Sequence, residues 1–95
     1  MIDENLLNAA KLRVRKTRSN VLDDDIRQLA EVAVTDLKRI GVSERFLREC
    51  EDPLIREAVL TFVNANYGSN PDSEKLMNSY NMFLIKIKGG KYFDV

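Results

Sequence analysis

The sequence predicts an all-α fold: a small bundle of about four helices with a short extra turn and a C-terminal tail. Apolar residues recur at three-and-four spacing in four segments, and capping residues, Pro or Gly bound each segment. Strand-like alternation is absent, and only 83–87, with its β-branched ending, is compatible with a strand. Because 95 residues accommodate one core, we expect a single helical domain over 1–88 and a flexible tail over 89–95.

The first two predicted helices each begin at acidic residues. Asp3 is a suitable N-cap for the first, and Asp23–Asp25 open the second, where carboxylates satisfy free N–H groups and complement the helix dipole. Gly41 is a natural C-terminal stop. The small Ala30 and Ala33 would let a neighbouring helix approach closely. The apolar positions are Leu6, Leu7, Ala10 and Val14 in the first helix, and Ile26, Leu29, Ala30, Ala33, Leu37 and Ile40 in the second.

A short turn and a third long helix follow. Ser43 can cap a turn that contains 46–47. Asp52 caps the next helix, with Pro53 at its first position, where a missing N–H costs nothing. Tyr67-Gly68 ends it. The apolar face of this helix is wider than a surface helix needs, and its members are Leu54, Ile55, Ala58, Val59, Phe62 and Val63.

The last predicted helix starts at Pro71 and ends at Gly89-Gly90. This Gly pair would release the final residues, 91–95, as a tail. The apolar positions of this last helix are Leu76, Tyr80, Phe83, Leu84 and Ile87.

Charge is distributed unevenly along a chain whose formal net charge is zero. Residues 1–22 hold five basic and two acidic residues, a net of +3, and residues 23–52 hold nine acidic and five basic residues, a net of −4. Such polarity suits head-to-tail packing of copies, although pairing within one chain explains it equally well. No signal peptide or membrane-spanning run is present, so we expect synthesis in the cytoplasm and no membrane partner.

Candidate catalytic and metal-binding residues are few. The chain has no histidine, the commonest general base and metal ligand. The single Cys50 lies among Glu49, Glu51 and Asp52, whose negative charge disfavours a thiolate. Adjacent carboxylates at Asp23–Asp25 point in different directions, whereas a calcium loop needs spaced oxygens and a Gly. We therefore expect helix capping there, no metal, no cofactor and no enzymatic activity.

Two charged segments are candidate interaction sites. The first, the basic stretch, has no interleaved aromatic residues, which favours a solvated face or a protein contact over direct DNA binding. The second contains Tyr92 and Phe93 after the Gly pair. These two rings can bury on a partner or fold back on their own core, and both alternatives are open. The basic residues of the two segments are Lys11, Arg13, Arg15, Lys16 and Arg18 in the first, and Lys86, Lys88 and Lys91 in the second.

Three stretches carry a resemblance to a known family. The first, LRVRKTRSNVLDDDIRQLAEVAVTDLKRIGV, is a basic helix end leading into Asp-Asp and a long helix that ends in Gly. The second is DPLIREAVLTFVNANYG, an Asp-Pro start, an apolar helix and an aromatic-Gly end. The third is NPDSEKLMNSYNMFL, a turn followed by a helix with a central Tyr. Together, over roughly residues 12–84, they resemble the small head–tail connector proteins of tailed bacteriophages and prophages, also called head-completion, adaptor or DNA-packaging proteins.

The resemblance implies a helical, non-enzymatic virion protein at the head–tail interface, made in the bacterial host cytoplasm. Members of the family assemble as a ring, commonly of twelve copies, on the portal protein after DNA packaging. The ring extends the channel for double-stranded DNA, which passes without sequence-specific binding, and offers a platform for a stopper or tail-completion protein.

We expect the interaction sites of such a subunit at the charged segments. Inter-subunit contacts are assigned to the basic stretch and to Asp23, Asp24 and Asp25. Portal docking is assigned to Lys88, Lys91, Tyr92 and Phe93. The alternative function is a small helical nucleic-acid-binding or regulatory module, which depends mainly on the basic stretch.

Overall fold

The computed structural model of the protein describes residues 3–15, 23–48, 52–68 and 70–93. Within these residues 78% are helical and no strand is present, which confirms the all-α prediction. Four longer helices and one short helical turn make up the described part of the fold. Their bounds are α1 Glu4–Arg15, α2 Asp23–Arg39, α3 Glu44–Leu47, α4 Pro53–Asn66 and α5 Ser73–Lys88.

Helix α4 is the centre of the bundle, packing against α1, α2 and α5. Its predicted broad apolar face is buried, apart from Leu54, which is half-buried. Burial extends further, to Leu60, Thr61 and Ala65, because neighbouring helices cover this helix on several sides. At roughly 1.5–3 kcal/mol for each large apolar side chain removed from water, α4 contributes much of the stabilisation of the fold.

Helices α1 and α2 each bury one face, as the spacing predicts. Ala30 and Ala33 of α2 are fully buried, which is consistent with close approach of a neighbouring helix. Leu29 and Ile40, also predicted on the apolar face, are half-buried at its edges. The fully or nearly fully buried positions are Leu6, Leu7, Ala10 and Val14 in α1, and Ile26, Ala30, Ala33 and Leu37 in α2.

Gly41 ends α2 as predicted. Its φ of 103° is in a region that side chains rarely adopt. The N–H of Gly41 donates to the carbonyl of Lys38, and the N–H of Val42 donates to the carbonyl of Leu37, each at 3.0 Å. This pair of bonds is a Schellman motif, which satisfies carbonyls at the helix end and turns the chain toward α3.

Asp52 caps α4 through its side chain, also as predicted. Its Oδ1 accepts hydrogen bonds from the backbone N–H of Leu54 at 2.9 Å and of Ile55 at 3.3 Å. Pro53 occupies the first turn, and Gly68, with a φ of 61°, follows the helix end at Tyr67.

The turn before α5 is tied to the preceding helix by Asn70. Its Nδ2 donates to the Asn64 carbonyl at 2.9 Å, and its Oδ1 accepts from the Asp72 N–H at 2.8 Å. Pro71 therefore lies in the turn, and the helix begins at Ser73 rather than at Pro71. Segment 83–87, compatible with a strand from its sequence, is helical throughout.

Tyr80 joins α5 to the rest of the bundle. Its ring lies 5.1 Å from that of Phe62, and its hydroxyl donates to Asp36 Oδ2 at 3.1 Å. Burial, followed by the Asp36 charge and this hydrogen bond, raises the pKa of the Tyr80 hydroxyl well above its ordinary value. Only Tyr80 and Ile87 of α5 are fully buried. The other predicted core positions Leu76, Phe83 and Leu84 are half-buried, so α5 is the least enclosed of the long helices that pack on α4.

Candidate assembly surfaces

The basic stretch is partly used inside the protomer. Lys11 Nζ lies 2.8 Å from Asp23 Oδ1, which ties the end of α1 to the start of α2. Arg13 donates two hydrogen bonds to Glu57 of α4, at 2.6 and 3.2 Å, in the fork geometry that strengthens such pairs. For these two residues the structure has intramolecular pairing, the alternative that the sequence left open. The Arg15 side chain, Lys16 and Arg18 lie outside the described part of the chain.

The predicted acidic site forms the first turn of α2. Asp23, Asp24 and Asp25 are all exposed, and Asp23 is the partner of Lys11. Within the described residues, no ion pair involves Asp24 or Asp25. These two carboxylates are the part of the predicted acidic site that remains accessible to another molecule.

The tail, predicted to be flexible over 89–95, lies folded back on the bundle up to residue 93. The Tyr92 carbonyl accepts a hydrogen bond from the Ser43 N–H at 2.7 Å, and Phe93 forms an isolated antiparallel bridge with Val42. Residues 94–95 lie outside the described part. Of the two alternatives for Tyr92 and Phe93, the protomer has the one in which both rings pack on their own core.

Side-chain contacts hold this folded-back segment. The Tyr92 ring meets the Phe46 ring edge-on at 5.0 Å, and its hydroxyl donates to Asp52 Oδ1 at 3.0 Å. Burial and this hydrogen bond raise the pKa of the Tyr92 hydroxyl. Asp52 therefore caps α4 and anchors the segment with the same oxygen. The sequence showed the cap but not the anchor, because Tyr92 is distant along the chain.

Lys88 and Lys91, the charged members of the predicted docking site, are exposed. Neither forms an ion pair with any described residue. Unlike the two aromatic residues beside them, they are accessible without unfolding of the segment.

An acidic surface with apolar content lies along the outside of α2. We call it the α2 outer face, and it consists of Asp24, Asp25, Gln28, Glu31, Val32 and Thr35. Val32 is 48% exposed, and Glu31, like the two aspartates, has no ion-pair partner among the described residues. Two grooves flank Val32: one of about 540 Å³ extends to Tyr67 and Gly68, and another of about 500 Å³ extends to Arg39.

A basic surface with larger apolar side chains lies along the outside of α5. The α5 outer face consists of Lys75, Met82, Ile85, Lys86 and Lys88. Met82 is 55% and Ile85 62% exposed. Helical spacing of four and seven places Lys75, Met82 and Lys86 in one stripe with Ile85 beside it. None of these three lysines forms an ion pair with a described residue.

Sequence reasoning named one end of each outer face, Asp24 and Asp25 on α2 and Lys88 on α5, but missed the rest of both faces. Their signal is present in the sequence: Val32, Met82 and Ile85 fall opposite the buried positions of their own helices. Isolated exposed apolar residues are common, however, and only the side-chain burial around them shows which stripe each helix leaves uncovered.

The described residues contain no cluster of three or more His, Cys, Asp or Glu side chains that could hold a metal ion. Cys50, the candidate nucleophile that was set aside, lies outside them. No helix in the same residues combines the length and apolar character that a membrane crossing requires.

Comparisons with protein-family models, with curated proteins and with solved structures find no match. The resemblance to the connector family therefore depends on the residues quoted for it.

Proposed function

We propose that the chain is a structural subunit of the connector between the head and tail of a tailed bacteriophage or prophage. It acts without catalysis, by assembling as a ring, on the family pattern a dodecamer, that binds the portal protein after DNA packaging. The ring extends the channel through which double-stranded DNA passes and presents a platform to a stopper or tail-completion protein. Its location is the head–tail interface of the virion.

The supporting observation is that the three stretches behind the resemblance form one packed unit. The second stretch forms the central helix α4. Helix α2 of the first stretch, α5 of the third, and α1, whose last turn begins the first stretch, pack against α4. The stretches thus correspond to consecutive parts of a single hydrophobic core. The quoted motifs therefore belong to one domain, as the proposed subunit requires.

The geometry also narrows the proposed docking site. Tyr92 and Phe93 would have to leave Phe46, Asp52 and Val42 before they could contact a portal. Lys91 is accessible as it stands, and we assign portal contact to it.

The alternative function, a nucleic-acid-binding module, loses part of its basis. Lys11 and Arg13 already neutralise carboxylates of their own protomer, so they are less available for phosphates. A DNA-binding protein that contacts several phosphates loses affinity steeply as salt rises.

The test compares duplex binding with self-assembly. Fluorescence anisotropy of a labelled duplex across a salt series measures binding to DNA, and analytical ultracentrifugation across a concentration series measures assembly. The connector function predicts weak duplex binding together with oligomers that grow with concentration. Tight binding by a monomer or dimer, with a steep salt dependence, would contradict it and support the alternative.

A further inference from the structure

We propose that copies of this chain join head to tail by packing the α5 outer face of one copy against the α2 outer face of the next. This inference rests on the proposed ring and names the contact that would hold it. A contact between two different surfaces leaves one of each surface free at the ends, so it extends into a ring or filament.

Charge complementarity is the first argument. The C-terminal half of α5 carries Lys86 and Lys88, whereas the N-terminal half of α2 carries Asp24, Asp25 and Glu31. All five side chains are exposed and without an ion-pair partner among the described residues. The N-terminal end of α5 is balanced, with Glu74 beside Lys75, so the net attraction comes from the basic half.

Shape is the second argument. Met82 and Ile85 project from the α5 outer face as the largest exposed apolar side chains of that helix. The α2 outer face offers two grooves on either side of Val32. Seating the two projecting side chains in these grooves would remove three exposed apolar residues from water at once. Isologous packing of two α5 outer faces would instead give Lys86 and Lys88 no acidic surface to face, since the other half of α5 is balanced in charge.

Length and direction also agree. At 1.5 Å per residue, α2 is about 25 Å long and α5 about 24 Å. In an antiparallel alignment the two helices can contact each other over their full lengths, and the basic half of α5 then lies against the acidic half of α2. It also opposes the two helix dipoles, with the C-terminal end of α5 near the N-terminal end of α2.

The contact is expected to be weak for a single pair. One helix face of about 24 by 10 Å is small beside the roughly 800 Å² that each partner buries in a standard interface. Self-association should therefore depend on concentration, and a ring should become stable when closure or the portal adds further contacts.

The experiment exchanges the charges of the two faces. One variant carries Lys86→Glu and Lys88→Glu, and a second carries Asp24→Lys and Asp25→Lys. A third chain carries all four substitutions. Each is checked by circular dichroism for retained helicity and then measured by analytical ultracentrifugation across a concentration series.

The two single-face variants should stay monomeric where the wild type assembles, since each brings like charges together. An equimolar mixture of them should assemble, and so should the fourfold variant alone, because both restore opposite charges. The control carries Arg45→Glu in α3 and Arg48→Glu at the C-cap of that helix. It changes net charge as much as the α5 variant does but belongs to neither face, so assembly should persist.

Three results would overturn the interface. These are single-face variants that assemble like the wild type, a mixture that stays monomeric, and a wild type that stops at a closed dimer. If wild type and both single-face variants all form rings on a portal, this interface is wrong while the connector function stands. If the wild type forms no ring with or without a portal, the connector function fails as well.

Discussion

The hydrogen bond between Tyr92 and Asp52 should couple the stability of the folded-back segment to the cap of α4. Tyr92→Phe removes only the hydroxyl that donates to Asp52 Oδ1 at 3.0 Å. A typical net contribution of such a bond is about 0.5–1.5 kcal/mol, and partial exposure keeps it within that range. Asp52→Ala removes the same bond and the cap to Leu54 and Ile55, so it should cost about 1–3 kcal/mol, of which the cap is about 1.

A double-mutant cycle separates these contributions. Because Asp52→Ala already deletes the bond to Tyr92, the double variant should be about as stable as Asp52→Ala alone, with a coupling energy of about 1 kcal/mol. Urea unfolding followed by circular dichroism measures each free energy. Asp72→Ala is the matched control, since Asp72 holds the N-cap position of α5 without a side-chain cap; its cost should stay below about 0.5 kcal/mol.

The coupling energy decides whether the bond exists in solution. Effects of Tyr92→Phe and Asp52→Ala that simply add would mean that the two residues do not interact. The Tyr92 hydroxyl would then play no part in holding the folded-back segment, which would be held by the contacts with Val42, Ser43 and Phe46 alone.

Three further predictions follow from the packing. The free energy of unfolding should fall as pH rises above about 10, because the raised pKa of Tyr80 makes the unfolded chain release this proton at a lower pH than the folded state does. Urea unfolding measured across this pH range should show a shallower fall for Tyr80→Phe than for the wild type. Identical slopes would refute this. Ile55→Ala, at a fully buried site in α4, should cost about 2–5 kcal/mol, whereas Ile85→Ala on the exposed side of α5 should change the stability of the monomer by no more than about 0.5 kcal/mol; comparable losses would contradict the burial pattern. Gly41→Ala should destabilise the protein by about 1 kcal/mol or more, since φ is positive and the new Cβ would lie 3.2 Å from Phe93 Cδ1. Gly89→Ala should be neutral or stabilising, because φ is −85° and the nearest atom to the new Cβ lies at 3.7 Å. Thermal unfolding that ranks the two variants the other way would contradict both geometries.

Helix positions could be predicted because their signals are local. Asp52 with Pro53, Gly41 and the Gly89-Gly90 pair each fix a helix end through the backbone around them. Three-and-four spacing then identified most of the buried residues, since the same period sets both the pattern and the packing face. The start at Pro71 was wrong by two residues because Asn70 organises a turn there.

Contacts between distant residues could not be predicted in the same way. Arg13 pairs with Glu57 across 44 residues, and no local pattern marks either as the partner of the other. The burial of Leu60, Thr61 and Ala65 depends on how many helices surround α4, which its own sequence does not encode.

The candidate surfaces changed for the same reason. Charge blocks in the sequence indicated interaction sites at the basic stretch, yet Lys11 and Arg13 find partners inside the protomer. Charged side chains that are exposed and form no ion pair within the described residues include an acidic set on α2 and a basic set on α5, and the sequence analysis named only part of each. The exposure of both sets depends on which helix faces the bundle covers.

Imaging the chain together with the portal protein of the same genome tests the connector function most directly. Cryo-electron microscopy of the mixture should show an additional helical ring that is coaxial with the portal and whose central channel continues the channel of the portal. A portal that remains unchanged at every ratio, with the chain free as a monomer, would contradict the proposed function.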